Sequence, residues 1–229
     1  MAESGAGEVP QENKHTRSAV ISHIPLTDPK RQPAPAAVAR CESSSRSRLN
    51  ILLSNTSHRS APMPELQIPT YDPRTLVESI TVEINAPSKV VWDVLVDLDR
   101  YPLWNPFCVS AASTLELGAP VDMVLTDYEH GAGTFTNTEF VCAVVPEQLL
   151  SWELVASETS PYAARRDQVI ERVDANRCRY YSTDAFLGDH AHAIMEATGH
   201  WVKRAFDDTA TALKRRSELV HVVRSLAPR

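Results

Sequence analysis

The sequence lacks any run near the roughly 18 uninterrupted apolar residues that a membrane-spanning helix needs, so no membrane insertion is expected. Its start, MAESGAGEVPQENKH, has acidic residues and no apolar core, which argues against a secretory signal or transit peptide. Four cysteines, Cys41, Cys108, Cys142 and Cys178, stand far apart with no CxxC pair. They read as buried or free thiols of a reducing compartment, and a cytoplasmic location is the expectation. Excess positive charge is also missing. The 23 Lys and Arg against 29 Asp and Glu leave a net −6, whereas a nucleic-acid surface needs a basic excess. No Gly-rich phosphate loop, dinucleotide fingerprint or Ser-His-Asp order is present, so no ATP- or NAD-dependent chemistry and no cofactor are expected.

Aromatic residues are absent from the first 62 positions; all 5 Phe, 4 Trp and 6 Tyr fall at or after Tyr71. That first stretch is rich in Ser, Pro and Ala (RQPAPAAVARCESSSRSR) and carries too little apolar bulk to offset the entropy of ordering a chain. It holds 8 of the basic and 5 of the acidic residues, leaving 15 and 24 for the remainder. The expectation is a mildly basic, disordered extension over 1–62 and an acidic globular domain over 63–229. Leu49–Leu53 is a short apolar patch with nothing around it to pack on, at most a transient helix. Met63 is a candidate start.

What remains is patterned. Ser79–Asn85 alternates as a strand does. Ser88 is placed to cap a helix over Lys89–Val96, where Val91, Val94 and Leu95 recur at helical spacing. DLDRYPLWNP (97–106) reads as a Pro-punctuated turn with one short helical piece. Strand-like runs follow at Phe107–Leu117, Val121–Tyr128, Thr136–Val145, Leu149–Ala156, Arg166–Val173 and Arg179–Phe186, separated by the turn signals LGAP, EHGAGT, PEQ, SETSP and DAN. Turns about every ten residues describe an antiparallel meander. Ala193 to about Val220 reads as one long helix whose apolar face is Met195, Thr198, Val202, Phe206, Thr209 and Leu213. The fold class is therefore α+β: a curved antiparallel sheet of about seven strands, two short helices after the first strand, and one long C-terminal helix to cover the sheet. Packing of a curved sheet on a single helix tends to leave a gap, the default ligand pocket.

This order of elements resembles the START-like, or Bet v 1-like, superfamily (SRPBCC), with its helix-grip fold. Within it the chain most resembles the polyketide cyclase/dehydrase and lipid-transport group. The residues that carry the likeness are ITVEINAPSKVVWDVLVDLDRYPLWNPF at 80–107, VVPEQLLSWEL at 144–154, FLG at 186–188 and ALKRRSE at 212–218. The resemblance covers about 76–219 and implies a largely apolar cavity for a small hydrophobic molecule. It says little about reaction, because Pro87, Trp92, Tyr101, Pro102, Trp104, Asn105 and Trp152 mostly shape the scaffold, and the group includes cyclases, carriers, sensors and lipid-transfer proteins.

Chemistry in such a cavity needs polar groups on inward strand positions. In Arg165–Arg172, alternation puts Arg166, Gln168 and Ile170 on one face and Arg165, Asp167, Val169 and Glu171 on the other. The resemblance implies that Arg166 and Gln168 face the cavity, where an Arg suits a carboxylate, thioester carbonyl or enolate; a solvated charged face is the alternative. In Thr136–Cys142 either Asn137, Glu139 and Val141 or Thr138, Phe140 and Cys142 face inward, with a bulge expected near Ala143. An inward Glu139 would have a raised pKa and serve as general base. Tyr128 is a hydrogen-bond donor at the pocket mouth or a polar hairpin end. Trp152 alternates with Leu150 and Leu154 and points inward. The resemblance puts Trp104 on the loop that closes one end of the cavity, and Met195 lies on the apolar helix face. His190, His192, Glu196 and His200 are read as surface residues, with a proton-transfer role at the pocket entrance the alternative and no metal site expected.

Three functions compete, one of them a structural or regulatory domain with a filled core and no cavity, whose N-terminal extension recruits a partner. A cofactor-independent cyclase or dehydratase of secondary metabolism would use Arg166, Glu139 and Tyr128 as catalytic groups and Gln168, Trp152, Trp104, Asn137 and Met195 to hold a polyketide-like substrate. A carrier of a hydrophobic metabolite or lipid needs one anchoring group and otherwise oil, whereas a cyclase needs two or more polar groups converging on one reacting carbon. The expectation favours the cyclase; the sequence does not address oligomeric state.

Overall fold

Period-two burial is what turns the meander into a sheet. In a computed structural model, residues 68–157 and 160–227 are described; the expected extension 1–62, its Leu49–Leu53 patch, Cys41 and Met63 lie outside them. The strands are β1 (Leu76–Glu78), β2 (Val82–Ile84), β3 (Cys108–Ala112), β4 (Pro120–Thr126), β5 (Thr134–Val145), β6 (Leu149–Leu154), β7 (Ala163–Arg172) and β8 (Cys178–Leu187). They form one antiparallel sheet in the order β1-β8-β7-β6-β5-β4-β3, with β2 also on β8. Helix α1 (Ser88–Val96), a 3₁₀ helix (Leu98–Leu103) and helix α2 (Ala191–Leu226) complete a helix-grip fold.

The expected first strand, Ser79–Asn85, is strand only over Val82–Ile84 (β2), and β1 at Leu76–Glu78 precedes it unexpected. The hydroxyl of Ser79 accepts from Ser182 N–H at 2.9 Å and donates to Ile80 C=O at 2.9 Å. The backbone of Ile80 then leaves the sheet, and its N–H donates to Asp207 on α2 at 2.7 Å. Side-chain hydrogen bonds of this kind compete with the strand ladder. Ser88 differs as well. It is the first helical residue, and its hydroxyl donates to Glu147 in the β5–β6 turn at 2.8 Å instead of capping α1.

Helix α2 buries Ile194, Trp201, Val202, Ala205, Phe206, Thr209, Ala210 and Leu213, one face at 3.6-residue spacing. Met195 and Thr198, expected on that face, are only half-buried. Below α1, Tyr101 is 1% exposed and its hydroxyl donates to Leu95 C=O at 2.7 Å, satisfying a helix-end carbonyl. Asn105 Oδ1 accepts from the N–H groups of Phe107 and Cys108 at 3.0 and 2.9 Å. These bonds steer the chain from the 3₁₀ helix into β3, beneath α2. Cys108 and Cys178 are buried, Cys142 is half-buried, and all three are free thiols.

Candidate functional site

Three adjacent strands place one row of side chains across the inner face. Trp152 of β6 stands opposite Arg166 of β7, which stands opposite Asp184 of β8; one step along, Leu150, Gln168 and Ser182 form the next row. Residues paired in this way share a face. Arg166 is 6% exposed and Gln168 2%, so both project under the helix and not into solvent. The Arg166 guanidinium carbon lies 4.0 Å from the ring centre of Phe206 on α2 and 5.9 Å from that of Trp152. A planar cation packed on an aromatic face is held in orientation with few of its N–H groups used; the Tyr180 hydroxyl accepts a hydrogen bond from it. Accordingly Arg166 Nε and Nη2 have no hydrogen-bond partner, and neither does Trp152 Nε1. The Tyr180 hydroxyl donates to Gln168 Oε1 at 3.4 Å and turns the amide so that Nε2 is also unpartnered.

The β5 register resolves the alternative left open by its pattern. Pairing with β6 slips between Val141 and Ala143, and pairing with β4 sets Glu139 opposite Val121 and Asn137 opposite Met123. Val121, Met123 and Val141 are buried, so Asn137, Glu139 and Val141 form the inward set while Thr138 and Phe140 are exposed. Asn137 Nδ2 donates to Glu139 Oε1 at 2.8 Å. Burial, reinforced by the charge of Asp184, pushes the Glu139 carboxyl up to about 8, outweighing the lowering by Arg166 and by the Asn137 hydrogen bond.

Asp184 was not among the residues singled out by the sequence. It sits on the inward parity of β8 beside Tyr180 and Ser182, directly across from Arg166. Burial raises it to about 7, with Asp167 on the other sheet face adding to the rise and Arg166 opposing it. Each carboxyl thus holds its proton above the ordinary carboxylate range, and the charge of either hinders ionisation of the other. The available signal was an acidic residue at the apolar period of the Arg179–Phe186 run. Cys108 completes the surroundings; burial pushes its thiol up to about 12, so it stays protonated.

Other expected site residues lie elsewhere. The Tyr128 hydroxyl donates to Asp208 on α2 at 2.9 Å, and Arg204 Nη2 donates to the Tyr128 carbonyl. The residue ties the β4–β5 loop to the helix, and its hydroxyl, pushed up to about 12 chiefly by burial, is not brought to Arg166. Trp104 packs edge-on to Tyr101 and lines a surface groove of about 400 Å³ between α1, the 3₁₀ helix and the last turns of α2. Met195 is half-buried on the first turns of α2, its sulfur lying over Gly199. The ring of His190 lies against Tyr162, while His192, Glu196 and His200 are exposed. No cluster of three metal-ligating side chains occurs among the described residues. No helix there is long and apolar enough to cross a membrane.

The arrangement thus joins one buried cation, two carboxyls that hold protons near neutrality and, on Arg166, Gln168 and Trp152, four unpartnered donor atoms on one inner face. Such a set can stabilise a developing oxyanion and move protons beside it. Among solved structures, the chain is similar to a protein from Nitrosomonas europaea (17% identity over 65% of this chain and 99% of that one, TM-score 0.48). It is similar too to the Zhui aromatase/cyclase from Streptomyces sp. R1128 (21%, 62% and 93%, TM-score 0.47). A third likeness is to a norcoclaurine synthase from Thalictrum flavum (15%, 64% and 95%, TM-score 0.46). No curated protein matches the sequence. Residues 84–183 match the family described as polyketide cyclase / dehydrase and lipid transport, the group that the sequence resembles.

Proposed function

We propose that the protein is a cofactor-independent cyclase/dehydratase acting on a small, hydrophobic polyketide-like metabolite held beneath α2. The observation that carries this reading is the convergence of Arg166, Glu139 and Asp184 on one inner face. A carrier needs a single anchor, and two carboxyls kept from ionising by burial serve no purpose in oil.

The proposed cycle balances on these groups. The Asp184 carboxylate takes a proton from a carbon between two carbonyls, and the enolate oxygen so formed is held by Arg166. The carbon of the enolate adds to a second carbonyl of the same chain, forming the ring C–C bond, and the new alkoxide takes the Glu139 proton. Glu139, now a carboxylate, removes a further α-proton. The hydroxyl leaves as water with the proton held by Asp184, which restores both carboxyls. Two carboxyls whose surroundings set different proton affinities divide acid and base roles in this way. Trp152 and Gln168 position the chain, and Asn137 orients Glu139.

Native mass spectrometry of the purified protein, before and after incubation with extract of its source cells, tests the reading. A bound small molecule returned as a product lighter by one water, or as a ring-closed isomer, is the expected result. A molecule bound and returned unchanged would establish a carrier and overturn the cyclase.

A further inference from the structure

The inner face of the sheet is rich in donors that have nothing to donate to. Arg166 Nε and Nη2, Gln168 Nε2 and Trp152 Nε1 are buried and unpartnered, and no carboxylate lies within ion-pair distance of Arg166 among the described residues; its guanidinium lies against the Phe206 and Trp152 rings, and the Tyr180 hydroxyl accepts a hydrogen bond from it. A buried cation without a contact anion is costly, and buried N–H groups without acceptors cost further. The cheapest remedy is a ligand that brings both a negative charge and flat oxygen acceptors. A fork of guanidinium N–H groups beside an amide N–H matches a planar oxyanion.

That oxyanion cannot enter alone. The charged and titratable groups around Arg166 are Asp184 from β8, Glu139 from β5, Cys108 from β3, Tyr180 from β8 and Tyr101 from the 3₁₀ helix; α2 offers it the Phe206 ring. Of these, Asp184 and Glu139 are the ones that change charge near neutral pH, and an incoming anion repels the ionised form of each. We propose that the site takes its ligand as a planar oxyanion, a carboxylate or an ionised enol, seated on Arg166 and Gln168, and that Asp184 and Glu139 take up a proton as it enters. This deepens the proposed function by naming the ionic form of the ligand, yet it concerns binding and not turnover.

Unreactive probes separate the two. Calorimetric titration of the full chain at pH 7.5 with 1-naphthoate, its methyl ester and 2-naphthol, in phosphate and in Tris, gives affinity and protons exchanged together. Naphthoate is expected to bind at least about tenfold more tightly than the ester, the increment of one charge-assisted contact, with net uptake of up to about one proton. Arg166→Gln should reduce naphthoate to the level of the ester, and Glu139→Gln should lower the proton uptake while leaving the preference for the acid. If the enol is the natural anion, 2-naphthol will rival naphthoate and show the red-shifted absorption of the naphtholate. Ester binding as tight as both acids, or no proton uptake by the wild type with naphthoate, overturns the proposal without recourse to any variant. Oxyanion binding without conversion of any substrate would leave this site standing and remove the cyclase.

Discussion

Glu139 and Asp184 make the most direct residue-scale prediction. Their ordinary values are 4.5 and 3.8, against about 8 and 7 in the fold. The folded chain therefore keeps protons that the unfolded chain has released. These groups cost no stability below about pH 4, and stability falls as pH rises from there through 8. Glu139→Gln removes its part of the slope. Thermal melts should show the variant matching the wild type at pH 5 and melting several degrees higher at pH 8.5; a wild type more stable at pH 8.5 would contradict the burial of this carboxyl. At the same scale, Arg166→Gln should lower kcat by about 10²–10³, measured on any substrate the native protein turns over. That Arg166 and Gln168 share a face was legible, because residues two apart on a strand always do; that this face is the inner one came only from the resemblance, with a solvated face the alternative. The parity of Asp184 was available in its strand's pattern, but its place opposite Arg166 was not, because that is a matter of register between two strands that neither strand's own pattern contains.

At the scale of elements, the bulge at Val141–Ala143 decides which half of β5 faces the helix. Its approximate place was expected, but its consequence for Glu139 required the partners on β4 and β6. The β1–β2 break escaped the alternation pattern because it is made by the Ser79 hydroxyl and by Asp207, 127 positions beyond Ile80. Tyr128 read as a donor at the pocket mouth, and the helix acid that claims its hydroxyl is 80 positions away. Two substitutions test the account of elements. Asn105→Ala leaves two backbone N–H groups without their acceptor at the turn into β3, and should cost about 2–4 kcal/mol in denaturant melts. Gly199→Ala would put its methyl 2.6 Å from the Met195 sulfur, the far end of a flexible side chain. Met195 can move aside, so the gain in helix propensity should prevail and the variant should be as stable as the wild type or up to about 1 kcal/mol more so. A clear loss of stability there would mean that Met195 is locked in place.

Across the whole molecule, the order of strand, short helices, meander and long helix was legible from turn spacing and helical periodicity, because each is a local pattern. α2 extends to Leu226, farther than its apolar face suggested, since its last turns project past the core with Leu219, Val222 and Val223 exposed. Trp104 likewise belongs to a groove beside those turns, not to the inner face. The fold thus supplies an apolar grip, and the inner face of β5, β7 and β8 supplies one cation and two reluctant acids. The claim that this combination performs chemistry is met most directly by incubating a synthetic poly-β-ketone with the wild type and with Glu139→Gln and following the mass of the product. The account predicts loss of one water by the wild type and at least about a hundredfold slower loss by the variant. Return of the ketone unchanged by the wild type, or equal rates for the two proteins, would contradict it.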